Sequence, residues 1–461
     1  MYQAEPATAS FHVPECRMRS IEFESSVAFA VVSAICIMWM LRQYHRWSST
    51  SQKQSTRATF GHDLRKQHFC IDANVYQCNN GSFGAVPRPV LEKQQRLMEK
   101  RERNPELWYR NQYDPYLFSH EEAHNTNMYA DGVDAVAAFV GSKRQDLVLV
   151  ENVTTGTNAV LKSLSFQRGD KILITSHTYR PVKITVEFVS KRLALETVVL
   201  EIPIPIDSED DIINLYSEVL KDDKDIKLAV VDHITGASAI KMPVKRIAAL
   251  CHMNGVMVLV DGAHAPGQIP LNMEDLGVDF YCGNLHKWLF TPRGCAFLWV
   301  QPDYKDVISP VTTSYRQYDS NLMQRFCFLG TRDCIPYYLA ETAIKFYNDL
   351  GGMEEIVTYN STLSSWAADM ISKALNAEKL QIPVGMRAPC MSLVAIPETS
   401  LYPACTETCH RLMSDVYKHS QVFVVFSYFN QRLWCRISSQ VYNCKEDYTR
   451  LRDALLEVLQ L

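Results

Sequence analysis

A lysine and a histidine stand side by side in the otherwise apolar segment CGNLHKWLF, residues 282–290. Lysine is among the residue types that are least often buried without a partner, so its position here indicates a chemical role. An amine in apolar surroundings is a nucleophile that can condense with a carbonyl group to form a Schiff base. Lys287 is therefore the first candidate catalytic residue, and His286 beside it is a candidate binding residue.

The elements that must position these residues are indicated by seven short apolar runs, which alternate with segments of helical periodicity such as RPVLEKQQRLMEKRER. Such runs are typical of strands buried on both faces, and their alternation with helices predicts an α/β fold with a largely parallel sheet. Ligands of such sheets bind just beyond the carboxyl ends of the strands. The runs are DLVLV, KILIT, ALETVVLEI, IKLAVV, GVMVLVD, VDFYC and CAFLWV.

A turn that opens into a helix follows the first run, in the segment ENVTTGTNAVLKSL. Here Thr155, Gly156, Thr157 and Asn158 would present backbone N–H groups and hydroxyls at a helix N-terminus, where phosphate groups bind. Turns of this kind also begin helices that bind no ligand, so the segment alone is a weak indication.

Three further strand ends carry rings and an acid. His177 and Tyr179 follow KILIT, His233 follows IKLAVV, and Asp261 and His264 follow GVMVLV. Each has a simpler interpretation, because aromatic residues are common at surfaces and an aspartate at a strand end often only caps a helix. Their common position at one edge of the sheet is what makes them candidates for a shared site.

An amine, an acid, a flat ring and an anion site together are the requirements of one cofactor, pyridoxal 5'-phosphate (PLP). Its aldehyde condenses with a lysine, and its pyridine nitrogen needs an acidic partner so that the ring stays protonated and withdraws electrons. Asp261 lies 26 positions before Lys287 (287 − 261), at the end of a neighbouring predicted strand. The sequence therefore predicts a PLP site in which Lys287 holds the aldehyde.

From about residue 70 to residue 461, the chain resembles the class V, fold-type I PLP-dependent enzymes. Within that family it is most similar to the branch that contains isopenicillin N epimerase and the hercynylcysteine sulfoxide lyases of ergothioneine synthesis. The resemblance implies a mostly parallel seven-stranded sheet in a large domain and a smaller C-terminal α/β domain. It is carried by the motifs NNGSFGAVP, NVTTGTNAV, DHITGAS, VDGAHAPGQ, GNLHKWLFTPRG, FLGTRD and CRISSQVYN.

The resemblance also implies roles for the cofactor site. Lys287 would be the Schiff-base lysine, and Asp261 would pair with the pyridine nitrogen. His264 and His233 would lie near the 3-oxygen of the ring, with either Tyr179 or His177 stacked on its face. The phosphate would be held by the turn that contains Gly156, together with Thr157, Asn158, Asn284 and His286.

Substrate and partner contacts are implied in the same way. Arg436 would clamp the α-carboxylate of an amino acid, for which a guanidinium fork is better suited than an ammonium group. Asn80 and Gly81 would belong to a loop that closes over the substrate, and Arg110 would contact the substrate side chain. Thr331 would reach into the partner subunit's site, which implies a homodimer.

Two residues depart from the family pattern. The family loop usually has histidine at the position of Asn80, and relatives tend to have serine at the position of Gly236. The first departure puts the substrate contacts of that loop in doubt. Neither departure affects Lys287 or Asp261.

The resemblance leaves several reactions open. We expect an amino acid bound as an external aldimine to undergo C–S β-elimination, with a cysteine-derived substrate and Lys287 as the base. Epimerisation and transamination are alternatives in the same family, and an inactive membrane-tethered scaffold is an alternative of another class. Cysteine desulfuration is not expected, because the thiol nearest to Arg436 is that of Cys435, within a predicted strand, where it would be inert.

Composition excludes several other classes. The formal charge is −4 and no long basic cluster is present, so nucleic-acid binding is not expected. The 14 cysteines include no CxxC pair, which argues against a zinc site or a small disulfide scaffold and favours a reducing, cytosolic environment.

The N-terminal 59 residues differ from the rest of the chain. Residues 26–41, SVAFAVVSAICIMWML, form an uncharged apolar run with glutamates before it and basic residues after it. This pattern predicts a membrane anchor with the catalytic part facing the cytosol; without it, the protein would be cytoplasmic. We expect the remaining chain to comprise an active-site segment (60–84), a large cofactor-binding domain (85–302) and a small domain (303–461).

Overall fold

The computed structural model describes residues 59–113 and 128–461. No helix in these two ranges is both long and apolar enough to span a membrane. The apolar run 26–41 lies outside the described residues, so its predicted role as an anchor stays a prediction.

A seven-stranded sheet forms the centre of the fold, in the order β2-β8-β7-β6-β5-β3-β4. Only β8 runs against the other strands, so the predicted, mostly parallel sheet is confirmed. Each strand coincides with one of the seven apolar runs. The strands are β2 (Leu147–Val150), β3 (Lys171–Thr175), β4 (Glu196–Leu200), β5 (Ile226–Asp232), β6 (Met257–Asp261), β7 (Phe280–Asn284) and β8 (Ala296–Val300).

Alternate residues of these strands pack into two separate apolar clusters. Leu147 and Leu149 of β2 join one cluster, whereas Val148 and Val150 join the other. A strand with a core on both faces has no solvent-facing positions to fill with polar residues, which explains the continuous apolar runs.

Helices cover both faces of this sheet. The helix predicted from RPVLEKQQRLMEKRER begins and ends as expected, at Arg88 and Arg103, with a proline in its first turn. The helices of this part are α1 (His62–His68), α2 (Arg88–Arg103), α3 (Pro105–Tyr113), α4 (Met128–Val140), α5 (Val153–Ser163), α6 (Arg180–Leu193), α7 (Glu209–Asp222), α8 (Val244–Met253) and α9 (Met273–Leu276).

A three-stranded antiparallel sheet, in the order β11-β12-β9, forms the C-terminal part. Its strands are β9 (Met391–Ile396), β11 (Val425–Phe429) and β12 (Arg432–Ser438), and β12 carries Arg436. The remaining helices are α10 (Leu322–Cys327), α11 (Ile335–Tyr338), α12 (Ala340–Asp349), α13 (Gly352–Ala374), α14 (Thr406–Ser420) and α15 (Lys445–Leu459).

A two-stranded parallel pair ties the segment before residue 80 to this C-terminal part, since β1 (Tyr76–Gln77) pairs with β10 (Val422–Phe423). The described residues between 59 and 461 form one compact unit. The proposed division of that unit at residues 84 and 302 stays a prediction.

Candidate active site

A cavity of about 540 Å³ lies where the carboxyl ends of β3, β5, β6 and β7 meet the sheet of β11 and β12. This is the edge at which the sequence predicted a shared site. The predicted site residues that line the cavity are Gly81, His177, Tyr179, Asp261, His264, Asn284, His286, Lys287 and Arg436.

Lys287 projects its amine into this cavity, where Nζ lies 2.9 Å from Nε2 of His264. It forms no ion pair with the described residues. Burial lowers the pKa of Lys287 to about 8, because the attraction of Asp261 does not offset desolvation and the repulsion of Arg436. Near neutral pH, a much larger fraction of this amine is therefore neutral and nucleophilic than in an ordinary lysine.

His264 is buried and stays neutral, because burial, followed by the charge of Lys287, holds its pKa well below the usual range. If Nε2 accepts from the neutral Lys287 amine, the ring proton is on Nδ1. That Nδ1 has no partner among the described groups. It is thus a buried donor that a ligand oxygen would satisfy.

Two buried carboxylates end adjacent strands, since Asp261 of β6 is in register with Asp232 of β5. The backbone N–H of Ala263 donates to Oδ1 of Asp261 at 2.9 Å, whereas Oδ2 of each aspartate lacks a partner among the described groups. Burial raises the pKa of both carboxyls, and the Asp261 charge further raises that of Asp232. A protonated pyridine nitrogen would satisfy Oδ2 of Asp261.

Asp232 was not predicted as a site residue. It ends its strand as Asp261 does, immediately after an apolar run. Since only Asp261 lines the cavity, Asp232 acts as a buried neighbour whose charge state depends on what binds to Asp261.

The residues at the start of α5 that face the cavity come earlier in the chain than the predicted turn of residues 155–158, whose phosphate contacts stay a prediction. Asn152 caps the helix by accepting from the N–H of Thr155 at 2.8 Å, and the N–H of Val153 donates to Oδ1 of Asn284 at 3.1 Å. Asn152, Val153 and Thr154 line the cavity. The N–H of the second helical residue, Thr154, has no intrahelical carbonyl to pair with and is available to an anion.

Gly156, Thr157 and Asn158 do not line the cavity, because the helix has already begun. A Cβ at Gly156 would lie 2.7 Å from the Sγ of Cys282, so this glycine permits close packing of α5 on the sheet. The hydroxyl of Thr157 and the amide of Asn158 both donate to the carbonyl of Thr154, at 3.1 and 2.9 Å.

Both candidate stacking rings lie in the cavity. Nδ1 of His177 is 3.1 Å from the hydroxyl of Ser238, which fixes the orientation of the ring, and its edge packs on Phe429 at 5.5 Å. Tyr179 is 49% exposed and packs against Gly236. Serine, the residue expected at 236, would place a Cβ 3.7 Å from the Tyr179 ring, which is ordinary contact.

The other two predicted histidines are engaged by the protein. His233 lies outside the cavity, with Nδ1 2.8 Å from the hydroxyl of Tyr281, whereas His286 lines the cavity and has Nδ1 3.2 Å from the carbonyl of Cys295. Burial lowers the pKa of each to about 4. His286 therefore faces a ligand as a neutral ring.

Arg436 is a guanidinium only 5% exposed, and among the described residues no carboxylate pairs with it. Nη2 donates to Oδ1 of Asn79 at 2.7 Å and to the hydroxyl of Ser82 at 3.1 Å, and Nη1 donates to the carbonyl of Gly236. Nε has no partner among the described groups. Burial lowers the pKa of Arg436 to about 10. A buried cation without an anion is costly, so the site favours an incoming carboxylate.

Asn79 and Ser82 were not predicted, although both belong to the NNGSFG motif. The motif's second asparagine, Asn80, does not line the cavity. Its Oδ1 accepts from the hydroxyl of Tyr442 at 2.6 Å and its Nδ2 donates to the carbonyl of Lys287 at 3.1 Å. Asn80 thus braces the lysine-bearing turn.

Replacing Gly84 with alanine is expected to destabilise the fold by about 1–3 kcal/mol and to lower activity. A Cβ there would lie 2.4 Å from the carbonyl oxygen of His286 and 2.5 Å from that of Lys287, so the loop or the lysine turn must move. Thermal unfolding and kcat measure the two effects. Gly385→Ala is the matched control, because its Cβ would meet nothing within 4 Å; equal stability of the two variants would contradict the packing described.

Arg110 and Thr331 lie outside the cavity. Arg110 is exposed on α3, where Nε lies 2.7 Å from Oε1 of Glu106. Thr331 is exposed next to Arg332, which pairs with Glu151. Their predicted contacts with substrate and partner subunit stay predictions.

No cysteine lines the cavity among the described residues. Cys435 is fully buried in β12, and burial raises the pKa of its thiol to about 12. A thiol in that state is neither accessible nor nucleophilic.

The fold and the site define an α/β enzyme of the aminotransferase type. Residues 92–451 match the family model for class-V aminotransferases, so the chain belongs to the class-V aminotransferase family. The predicted class V, fold-type I assignment is confirmed.

The relatives include enzymes of sulfur metabolism. An L-cysteine desulfhydrase of Arabidopsis thaliana is 30% identical over 86% of this chain and 91% of its own length. A hercynylcysteine sulfoxide lyase of Schizosaccharomyces pombe is 25% identical over 84% of this chain and 95% of its own. The solved structure of a cystine C–S lyase with cysteine persulfide shares the fold, with a TM-score of 0.68 and 20% identity over 83% of this chain and 97% of its own.

Proposed function

We propose that the protein is a PLP-dependent C–S β-lyase that acts on cysteine or a cysteine-derived amino acid. The observation that carries the proposal is one cavity that contains both a lysine amine whose pKa is lowered to about 8 and a buried guanidinium that pairs with no carboxylate among the described residues. Relatives named L-cysteine desulfhydrase and hercynylcysteine sulfoxide lyase support the choice of C–S cleavage.

The residues of the cavity fit PLP. Oδ2 of Asp261 and Nδ1 of His264 are buried and without partners among the described groups, so they are available to the pyridine nitrogen and the 3-oxygen. Asn284, His286 and the first turn of α5 would hold the phosphate. When bound, PLP draws electrons from the substrate Cα and so makes the Cα–H acidic.

Each side chain of the site then has a separate role in the reaction. Arg436 binds the α-carboxylate and fixes which Cα bond faces the ring, because Asn79, Ser82 and Gly236 hold its fork in place. Lys287 takes the Cα proton in its neutral form, with His264 beside it to hold the amine in position. The electron pair of the Cα–H bond forms a Cα=Cβ double bond, and the sulfur substituent leaves from Cβ with the electron pair of the broken C–S bond and takes up a proton. Water then converts the released 2-aminoacrylate to pyruvate and ammonia.

Among the described residues no cysteine lines the cavity, which argues for elimination over desulfuration. Desulfuration passes the sulfur to a protein thiol, and Cys435 is too deeply buried to receive it. Elimination needs no such acceptor.

Product analysis tests the proposal. The purified chain is incubated with L-cysteine and with S-substituted and sulfoxide derivatives, and the released sulfur product (sulfide, a thiol or, from a sulfoxide, a sulfenic acid), pyruvate and ammonia are measured. Equal release of the sulfur product and pyruvate is expected. Formation of the D-amino acid without release, or a requirement for a keto-acid acceptor, would replace the lyase assignment by an epimerase or an aminotransferase.

The rate at which the PLP-free protein captures PLP is expected to rise with pH, to reach half of its limit near pH 8 and to level off above about pH 9. The nucleophile is the neutral amine of Lys287, and its pKa of about 8 means that the neutral fraction grows as pH rises through that value. Stopped-flow absorbance after mixing with PLP measures the rate. A rate still rising steeply between pH 9 and 10 would show an ordinary, unshifted lysine.

Assembly and location belong to the same proposal. We propose a homodimer in which the exposed Thr331 segment contacts the partner's site, and light scattering of the purified chain tests it.

The anchor proposal rests on residues 26–41. Carbonate extraction of a tagged full-length chain tests it, because an anchored protein stays in the membrane pellet.

A further inference from the structure

A second cavity, of about 550 Å³, lies beside the active site and takes no part in the chemistry described above. It lies between α13, the strand β9 and the segment 379–389. Its volume is within the range of small-molecule sites. The polar side chains that line it are those of Ser238, Lys241, Ser361, Thr362, Ser365, Lys379, Arg387 and Ser392.

The charges of this cavity are of one sign. Three cations and five hydroxyl groups line it, and no Asp or Glu does among the described residues. Lys379 pairs with Asp369, whereas Lys241 and Arg387 form no ion pair with any described residue. Lys241 is half-buried, so its charge is only partly screened by water. An anion in the cavity would relieve the repulsion between the two unpaired cations.

A single short segment separates the two cavities. Gly236 and Ala237 line the active site, whereas the next two residues, Ser238 and Ala239, line the second cavity. The carbonyl of Gly236 accepts from Arg436. A ligand that shifts residues 238–239 would therefore move one of the groups that hold the substrate clamp.

Two further contacts connect residues of the second cavity with residues of the active site. The hydroxyl of Ser238 holds the ring of His177 in the active site, at 3.1 Å. Leu393 of β9, which lines the second cavity, is in register with Arg436 of β12. The charge of Lys241 also helps to keep the pKa of His233 low, so an anion bound to Lys241 would change the electrostatic potential at that histidine.

We propose that the second cavity binds a small organic anion, carrying a carboxylate or phosphate group, and that its occupancy changes substrate affinity through residues 236–239. Lys241 and Arg387 bind the anionic group, and the hydroxyls of Ser361, Thr362 and Ser365 supply further hydrogen bonds. The coupling is reciprocal, so substrate changes the affinity of the anion by the same factor.

Calorimetric titration of the full-length, PLP-loaded protein with inorganic phosphate, and separately with succinate, tests the binding. Loading with PLP keeps the anion out of the cofactor's phosphate site, and sodium chloride at equal ionic strength corrects for screening. Saturable binding is expected in wild type, at least about tenfold weaker in Lys241→Met/Arg387→Gln, and unchanged in Lys373→Gln. Lys373 is the matched control, because it is exposed on α13 and does not line the cavity.

The coupling is measured by the affinity for L-cysteine, read from the visible spectrum of the bound cofactor, with and without saturating anion. A change of at least about fivefold is expected in wild type and none in the double variant. This readout needs no sulfide release, so it stays informative even if the reaction is not C–S elimination. Any of three results would overturn the proposal. These are no saturable binding of either anion, binding that is unchanged in the double variant, and an L-cysteine affinity that is the same with and without the anion. Arg387→Gln alone separates loss of binding from misfolding, since Arg387 is exposed.

Discussion

Lys287→Ala is expected to lower kcat by at least about 1,000-fold. The change removes both the amine that condenses with the cofactor and the base next to the substrate Cα. No other lysine can replace it, because Lys287 is the one lysine that lines the cavity among the described residues. His264, whose Nε2 lies 2.9 Å from the lost amine, is a neutral imidazole and cannot form a Schiff base with the cofactor aldehyde. Release of sulfide and pyruvate from L-cysteine measures the loss.

The fold is expected to survive this change, because an amine that is costly to bury is replaced by a small apolar group. Thermal unfolding of the variant checks this. Lys245→Ala is the control, since Lys245 is exposed and pairs with Asp275 far from the cavity residues. An active Lys287→Ala variant, or an inactive Lys245→Ala variant, would contradict the assignment of the base.

Arg436→Lys is expected to raise KM for the amino-acid substrate by about 10- to 100-fold, with a smaller effect on kcat. An ammonium group cannot keep the fork that Asn79, Ser82 and Gly236 hold and also bind a carboxylate through two parallel bonds. Steady-state kinetics with L-cysteine separates the two parameters.

Arg432→Lys on the same strand is the matched control for this change. Arg432 is exposed and pairs with Glu378 at 2.7 Å, so its replacement is expected to leave KM unchanged. A KM that rises equally in both variants would show that the effect comes from the strand and not from a carboxylate clamp.

The large sheet could be predicted from sequence because its strands are buried on both faces. Each of the seven apolar runs became a strand, and the carboxyl ends of the six parallel strands lie at one edge of the sheet, as the parallel arrangement requires. Short motifs were enough to predict three residues of the site. Lys287 and Asp261 were predicted from the chemistry that PLP requires, and Arg436 was predicted from the resemblance to the family.

Contacts between distant parts of the chain could not be predicted in this way. Asn79 reaches Arg436 across 357 positions, and no periodicity or spacing marks such a pair. The Thr-Gly turn predicted a helix N-terminus near residue 155, whereas α5 begins at Val153 and the side chain of Asn152 is its N-cap. His233 does not line the cavity and has a buried partner in the hydroxyl of Tyr281, so its expected place near the 3-oxygen of the cofactor stays a prediction.

The most direct test of the account is to find which lysine carries the cofactor. The purified chain is reconstituted with PLP, reduced with borohydride to make the attachment permanent, digested and mapped by mass spectrometry. The account predicts a visible absorbance band before reduction and a single pyridoxyl-phosphate adduct on Lys287. An adduct on another lysine, or a protein that remains colourless after reconstitution, would contradict it.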